Sequence, residues 1–582
     1  MLVSAVAEVV SLGAVVPFLA ILTSPERVFA YPVVAKLALT FGITSASQLL
    51  LPVTFAFAAA AVITGAIRMF LLWVSTRLTS ASGSELSSEV YRRTLYQPYR
   101  AHVARNSSEI ISGIINKVNG VVFGVMLPLL MLVSSTILLV SILLALIAIN
   151  PLAALVATVG FGASYGVITW RYRRRLYING QRIGHEQTQV LKALQEGLGG
   201  IRDIILDGAQ PIYCDIYRQA DLPFRQSAGD NSFIGQSPRY TMEAIGMVLI
   251  VSLAYGLSRQ AGGIATAMPV LGALALGAQR LLPALHQIYS AWTSIAGNQA
   301  QLTDTIEMLE QPLPLELQQP EPEPLVFNEA IRFESVGFRY SKDGSSVLDG
   351  LTFTIPKGAR VGFVGSTGSG KSTTLDLLMG LLTPDSGKIL VDGIPIAGTR
   401  RRAWQRAIAH VPQSIYLADT TLAENIAFGV PRADINMELA RQAARQARIA
   451  DFIESRPGGY NAYVGERGIR LSGGERQRIG IARALYKQAC VLVFDEATSA
   501  LDSATERAVM DAIEGVNRDV TILLIAHRLT TLRRCDTIFE LEHGRVAAQG
   551  SYEQLLESSP AFRQAAQGPQ SPERGDKPED LN

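Results

Sequence analysis

The chain has 582 residues, of which 48% are hydrophobic and 18% charged, and its formal net charge is +2. That length exceeds one ordinary domain. With no clustered basic face, the chain lacks the footprint of a nucleic-acid binder. Cys214, Cys490 and Cys535 are too widely spaced for a disulfide framework or a thiolate metal site.

From the N-terminus the pattern is that of a membrane protein. Residues 121–149 and 151–170 carry no charge, and about 20 such residues span a bilayer as a helix. Six spans are expected. The first is Leu2–Thr23, the second starts near Leu49 and runs to Leu78, and the third is Val121–Ile149. The fourth is Leu152–Trp170, the fifth Tyr240–Leu257, and the sixth starts near Ile264 and continues past Arg280 towards Ile295. Asn150-Pro151 turns the chain between the third and the fourth. No charged start and small-residue cleavage site mark a secretory signal. The first span begins almost at Met1 and barely crosses at about 1.5 Å per residue. Either it is minimal or the true start, with a further helix, lies upstream.

Basic residues set the expected orientation. Arg92, Arg93 and Arg100 follow the second span; Arg173, Arg174, Arg175, Arg182, Lys192, Arg202 and Arg218 follow the fourth. Positive loops remain in the cytoplasm, so both loops and the C-terminal half belong there. Glu8, Arg68, Arg239, Glu243 and Arg280 lie within or beside the spans. A charge at that depth is costly and faces a partner or a wet cavity. Arg280, Arg239 and Arg68 are therefore candidates for holding an anionic cargo. The alternative is an ion pair with Glu8 or Glu243 that only joins helices.

Residues 311–327 hold Pro312, Pro314, Pro320, Pro322 and Pro324 among Glu and Gln, an extended linker. It separates an expected membrane domain, 1–310, from a second domain, 328–565. The polar tail, 566–582, is expected to be disordered.

The second domain handles phosphate. Gly365-Ser366-Thr367-Gly368-Ser369-Gly370-Lys371-Ser372 is a complete P-loop between the apolar run 360–364 and the helical run 372–378. Glycines free the backbone N–H groups for phosphates, and the helix N-terminus adds a favourable dipole. Lys371 is expected on the outer phosphates, and the Ser372 hydroxyl on Mg²⁺. In Val491-Leu492-Val493-Phe494-Asp495-Glu496 the first carboxylate suits Mg²⁺ and the second suits the attacking water.

Leu471-Ser472-Gly473-Gly474-Glu475 resembles the signature of ATP-binding-cassette (ABC) ATPases. The resemblance covers about residues 328–560. It implies ATP and Mg²⁺ as ligands, and two cassettes dimerised head to tail. Ser472, Gly473, Gly474 and Glu475 of one copy would cap the ATP held by the other's P-loop, which includes Thr373. Glu475 stands where the family often has Gln. Tyr340 is similar to the aromatic that stacks on adenine, Gln413 to the residue that senses Mg²⁺ and water, and Asp502 to the loop joining the two sites. His527 is similar to the switch histidine at the γ-phosphate, and Glu466 to the loop touching the membrane domain. Catalysis is thus assigned to Glu496, His527 and Gln413, and Mg²⁺ to Ser372, Gln413 and Asp495.

Six spans followed by one cassette resemble a type IV (B-type) exporter half-transporter. The implied fold is an all-α six-helix transmembrane domain plus an α/β P-loop ABC nucleotide-binding domain. One signature and one P-loop imply a homodimer with ATP sandwiched between cassettes. Short coupling helices are implied near Pro98–Arg105 and Leu206–Tyr217. Gln97-Pro98-Tyr99 with His102, Arg105-Asn106-Ser107-Ser108-Glu109, and Arg280-Leu281-Leu282-Pro283-Ala284-Leu285 are similar to flippases of lipid-linked oligosaccharides. That implies a polyprenyl-diphosphate saccharide as cargo in a bacterial inner membrane, with a cytoplasmic nucleotide-binding domain. The alternative is an exporter of other lipids, peptides or hydrophobic drugs.

Overall fold

The computed structural model describes residues 1–23, 26, 45–149, 151–258, 263–314, 320, 322–341, 343–495, 506–507, 519–525 and 529–567, some of them, Arg280 included, by backbone alone. The chain forms two compact units, 1–97 with 104–313, and 98–103 with 314–582. The divide at 313/314 lies within the expected linker. Residues 315–319 of that linker, and the tail from 568 onward, fall outside the described residues.

The first unit is helical throughout. Helix α1 is Leu2–Thr23 and α2 is Leu50–Leu95; the short α3, Tyr99–Ala104, follows. Helix α4 runs from Ser107 to Ile149 and is interrupted by two π-helical stretches, Gly113–Lys117 and Val122–Met126. Helix α5 is Pro151–Gly199, α6 Ile201–Leu206, α7 Gln210–Ser258, α8 Gly263–Gly297 and α9 Gln299–Leu309. Pro151 opens α5, where its missing N–H costs nothing. The six long helices coincide with the six expected spans. The two arginine-rich segments, expected as loops, are instead largely helical, because α2, α5 and α7 continue well past the apolar runs.

Apolar surface turned outward marks the spans. On α2, Leu51, Phe55, Val62, Phe70 and Trp73 are all more than half exposed. In water that surface would be strongly unfavourable; in lipid it is not. Small and hydroxylated residues face inward instead. Thr64, Thr79 and Thr94 are buried, and each hydroxyl donates to the carbonyl four residues earlier. Such small residues let helices approach closely. At Gly180 the approach is so tight that a Cβ would stand 2.5 Å from the Gly297 carbonyl oxygen.

The second unit contains two sheets. Strands β1 (Ala330–Phe338), β2 (Leu348–Pro356), β4 (Ser386–Val391) and β5 (Ile394–Pro395) form an antiparallel sheet in the order β2-β1-β4-β5. The other sheet has the order β10-β9-β3-β8-β7-β6. Its strands are β3 (Arg360–Val364), β6 (Ile408–Val411), β7 (Val491–Asp495), β8 (Thr521–Ile525), β9 (Thr537–Glu542) and β10 (Arg545–Gly550). The strands from β9 to β6 are parallel, and only β10 runs antiparallel. The parallel strands are mostly apolar because both faces are covered, one of them in part by the antiparallel sheet, where Phe353 packs on Phe363 and Phe539.

Candidate nucleotide site and membrane cavity

The P-loop leaves the carboxyl end of β3, where ligands collect in open α/β sheets. Gly365, Gly368 and Gly370 have φ of +143°, +84° and +99°. A Cβ at Gly365 would overlap the Leu541 carbonyl, and one at Gly370 would stand 2.6 Å from Leu348 Cδ2. Only glycine fits that turn. The loop delivers the chain into α10, Lys371–Leu378. Lys371 Nζ donates to the carbonyls of Gly365 at 2.8 Å and Ser366 at 2.9 Å, so the ammonium lies over the loop. Ser369 Oγ is buried and makes no hydrogen bond among the described residues. The Ser372 side chain, on the first turn of α10, is exposed, and Thr373 is buried.

Asp495 ends β7 on the same edge. It pairs in register with Ile525 of β8, which pairs with Phe363 of β3. Two strand spacings, about 10 Å, therefore separate the Asp495 backbone from the last residues before the P-loop. A further carboxylate, Asp376 on α10, is raised to about 6, first by burial and then by the negative charge of Asp495. Sequence reasoning missed it, because an Asp in a helical run carries no motif.

Tyr340 is 42% exposed, and its hydroxyl lies 3.2 Å from Thr373 Oγ1. The ring is thereby tethered to the P-loop helix while one face stays open. Gln413 lies just past β6. The following segment is pinned by Arg483, whose Nη1 donates to the Tyr416 carbonyl at 3.0 Å and whose Nε donates to the Asn425 carbonyl at 2.9 Å. Arg483 sits on α11, Gly473–Tyr486, which opens at the signature.

Ser472 caps α11. Its hydroxyl accepts from the Glu475 N–H at 3.3 Å, and its own N–H donates to the Glu475 carboxylate at 2.8 Å. This capping box orders the helix start. Ser472 and Gly473 remain exposed and Gly474 half-buried, so the positive end of a 14-residue helix is open to an anion. Glu466 is exposed at the start of a 3-10 turn. Glu496, Asp502 and His527 lie outside the described residues.

Between two long helices in sequence, Pro98–Val103 nevertheless packs with the cassette. Arg100 Nε donates to the Tyr340 carbonyl at 3.0 Å and Nη2 to the Arg339 carbonyl at 3.1 Å; Nη1 lies 3.6 Å from Asp385. Its guanidinium stands over the Phe338 ring. The segment thus grips the strand end that carries Tyr340. The second expected coupling segment, Leu206–Tyr217, holds the break between α6 and α7 and the first turns of α7.

In the helical unit the three arginines have different settings. Arg68 reaches Glu8 at 3.5 Å, and Glu8 is 2% exposed, so this pair links α2 to α1. Arg239 Nε donates to Glu243 Oε1 one turn along α7 at 2.9 Å, and both line a cavity of about 530 Å³. Arg280 lies on α8, and its side chain is outside the described residues.

These features meet in known proteins. The ABC transporter profile matches residues 348–499, and the ABC transporter transmembrane region profile matches 10–255. The chain belongs to the ABC transporter family. Its exporter architecture extends over both units of this ABC half-transporter: 96% of the chain superposes on 96% of a bacterial Atm1-family ABC exporter with ATP bound, with a TM-score of 0.76 and 26% identity. Among curated relatives, the ATP-dependent lipid A-core flippase of Chromohalobacter salexigens is 44% identical over 232 residues, 40% of each chain. The beta-(1→2)glucan export ATP-binding/permease protein of Rhizobium meliloti is 42% identical over 232 residues, 40% of this chain and 39% of the relative. The chain thus covers about two fifths of the length of these curated relatives.

Proposed function

We propose that this chain is half of an ATP-driven exporter that flips a saccharide-bearing lipid across a bacterial inner membrane, its cassette in the cytoplasm. One observation carries the reading. A phosphate cradle, with Asp495 two strands away on the same sheet edge, shares a chain with helices whose apolar side chains face outward. The names of two relatives, a lipid A-core flippase and a glucan exporter, favour a saccharide-bearing cargo. The finer assignment is a polyprenyl-diphosphate-linked oligosaccharide whose anionic group meets Arg239 or Arg280.

The residues present fit ATP with Mg²⁺. Ser372 and Asp495 offer hard oxygen donors, which Mg²⁺ prefers, and Gln413 adds an amide oxygen. Mg²⁺ would neutralise the phosphate charge that develops during transfer. Residues 365–371 cradle the phosphates, Tyr340 stacks on the adenine, Glu496 orients the attacking water and His527 contacts the γ-phosphate. Each cassette supplies one P-loop and one signature, so a second copy provides Ser472, Gly473, Gly474 and Glu475 for each site. Asp502 would belong to the loop that communicates between the two sites. Closure of the cassettes passes to the membrane helices through Pro98–Val103.

ATPase stimulation in nanodiscs tests the cargo. A polyprenyl-diphosphate oligosaccharide should raise turnover, and a hydrophobic peptide should not. Stimulation by the peptide alone would overturn the cargo assignment.

A further inference from the structure

The cavity beside Arg239 holds polar groups that the fold itself leaves unused. It lies among α5, α7 and α8, and its wall includes Tyr165, Arg239, Glu243, Gln279, His286 and Gln287. Tyr165 is 8% exposed, yet its hydroxyl makes no hydrogen bond among the described residues. The Nδ1 of His286 is also buried and has no hydrogen-bond partner among the described residues. Buried polar atoms in native proteins are almost always paired. Two orphans on one wall point to a partner that enters the cavity. At about 530 Å³ the space far exceeds the roughly 30 Å³ share of one water.

The depth of the cavity suits a lipid headgroup. At about 1.5 Å per residue, Arg239 lies roughly 28 Å along α7 from Ser258, and His286 roughly 34 Å along α8 from Gly263. Tyr165 lies roughly 21 Å along α5 from Pro151 by the same rise. The hydrocarbon core is about 30 Å thick. The cavity therefore sits towards one face of the apolar band, on the side of the arginine-rich extensions.

We propose that this cavity is a headgroup subsite that reads the saccharide of the cargo. Arg239 holds the anionic group. Only its Nε–H is engaged by Glu243 among the described residues, and a guanidinium has five N–H donors. Tyr165 and His286 bind hydroxyls next to that anion. A sugar hydroxyl both donates and accepts, which matches a phenol and an imidazole nitrogen. The inference rests on the saccharide–lipid reading above and adds the residues that select the sugar.

The test uses the full chain in nanodiscs and two probes, undecaprenyl diphosphate and the same lipid carrying a disaccharide. Wild type should bind the glycosylated probe more tightly. Tyr165→Phe and His286→Leu should each weaken that probe roughly three- to tenfold, as for one lost hydrogen bond, and leave the bare lipid unchanged. Arg239→Gln should weaken both probes. Without lipid, Tyr165→Phe should unfold at or above the wild-type temperature, since it deletes an unpaired hydroxyl. Equal wild-type affinity for the two probes would overturn the subsite and leave an anionic-lipid cargo standing. Binding of neither probe would overturn the cargo reading and the subsite together. A preference retained in both variants, or a Tyr165→Phe protein that is less stable and weaker for both probes, would also overturn the subsite.

Discussion

The negative charge of Asp495 bears on Asp376, on the helix that leaves the P-loop. Burial, and then the charge of Asp495, raise the Asp376 carboxyl to about 6 from 3.8. The folded state therefore favours the protonated acid. Its contribution to stability is full below pH 3.8 and is lost as the pH rises through 6. Asp376→Asn should thus stabilise the magnesium-free, nucleotide-free protein above pH 6, by about 1–2 kcal/mol once solvent screening of the half-buried carboxyl is allowed for, and the gap to wild type should close near pH 4. Thermal unfolding across that range reads the gap directly. A gap that stays constant across that range would show that the fold does not raise the Asp376 carboxyl.

His410 gives the opposite slope. It sits in β6, three residues before Gln413, and burial lowers its imidazole to about 4. Its Nε2 makes no hydrogen bond among the described residues. The fold holds this ring neutral, so stability is full above pH 6.5 and falls as the pH drops to about 4. His410→Gln should flatten the loss between those values, worth up to about 3 kcal/mol. Matching acid-unfolding curves for the two proteins would count against a buried neutral histidine.

Helix packing in the membrane unit makes a paired prediction. Gly180 has the Gly297 carbonyl 2.5 Å from where its Cβ would be, whereas Gly184, one turn on, has nothing within 4 Å. Gly180→Ala should cost about 1–3 kcal/mol by forcing α5 and α8 apart. Gly184→Ala should be neutral or gain up to about 1 kcal/mol from the helix itself. Detergent-phase melting of both variants checks the ordering, and equal effects would refute the close approach.

Arg100 ties Pro98–Val103 to Arg339, Tyr340 and Asp385. These contacts are exposed, so Arg100→Ala should change cassette stability by less than about 1 kcal/mol. If the segment carries closure to the membrane helices, transport should fall about tenfold, a coupling loss of about 1.4 kcal/mol, while ATP hydrolysis persists. Parallel loss of both activities would place Arg100 in the nucleotide site instead.

Much of this architecture was legible in the chain, because its signals are local. Uncharged runs mark spans whatever they pack against, and the P-loop needs glycines at 365, 368 and 370 for backbone reasons alone. The Leu2–Thr23 span matches α1 residue for residue. The extensions of α2, α5 and α7 were less legible, since charged helical surface reads like a loop when no membrane run supports it. Arg239 was visible as a costly charge and Glu243 as a candidate partner, but the pair was expected to join two helices and instead closes within one turn of α7. Tyr165 and His286 were invisible: one aromatic and one histidine in apolar runs become a site only when three helices bring them to one cavity.

The most direct test of the whole account is lipid transport in sealed proteoliposomes containing a fluorescent polyprenyl-diphosphate saccharide, with ATP hydrolysis followed in parallel. Wild type should move the label between leaflets only with ATP and Mg²⁺, Glu496→Gln should neither hydrolyse nor flip, and Arg239→Gln should hydrolyse without flipping. Steady hydrolysis by wild type with the label left in place would contradict the account.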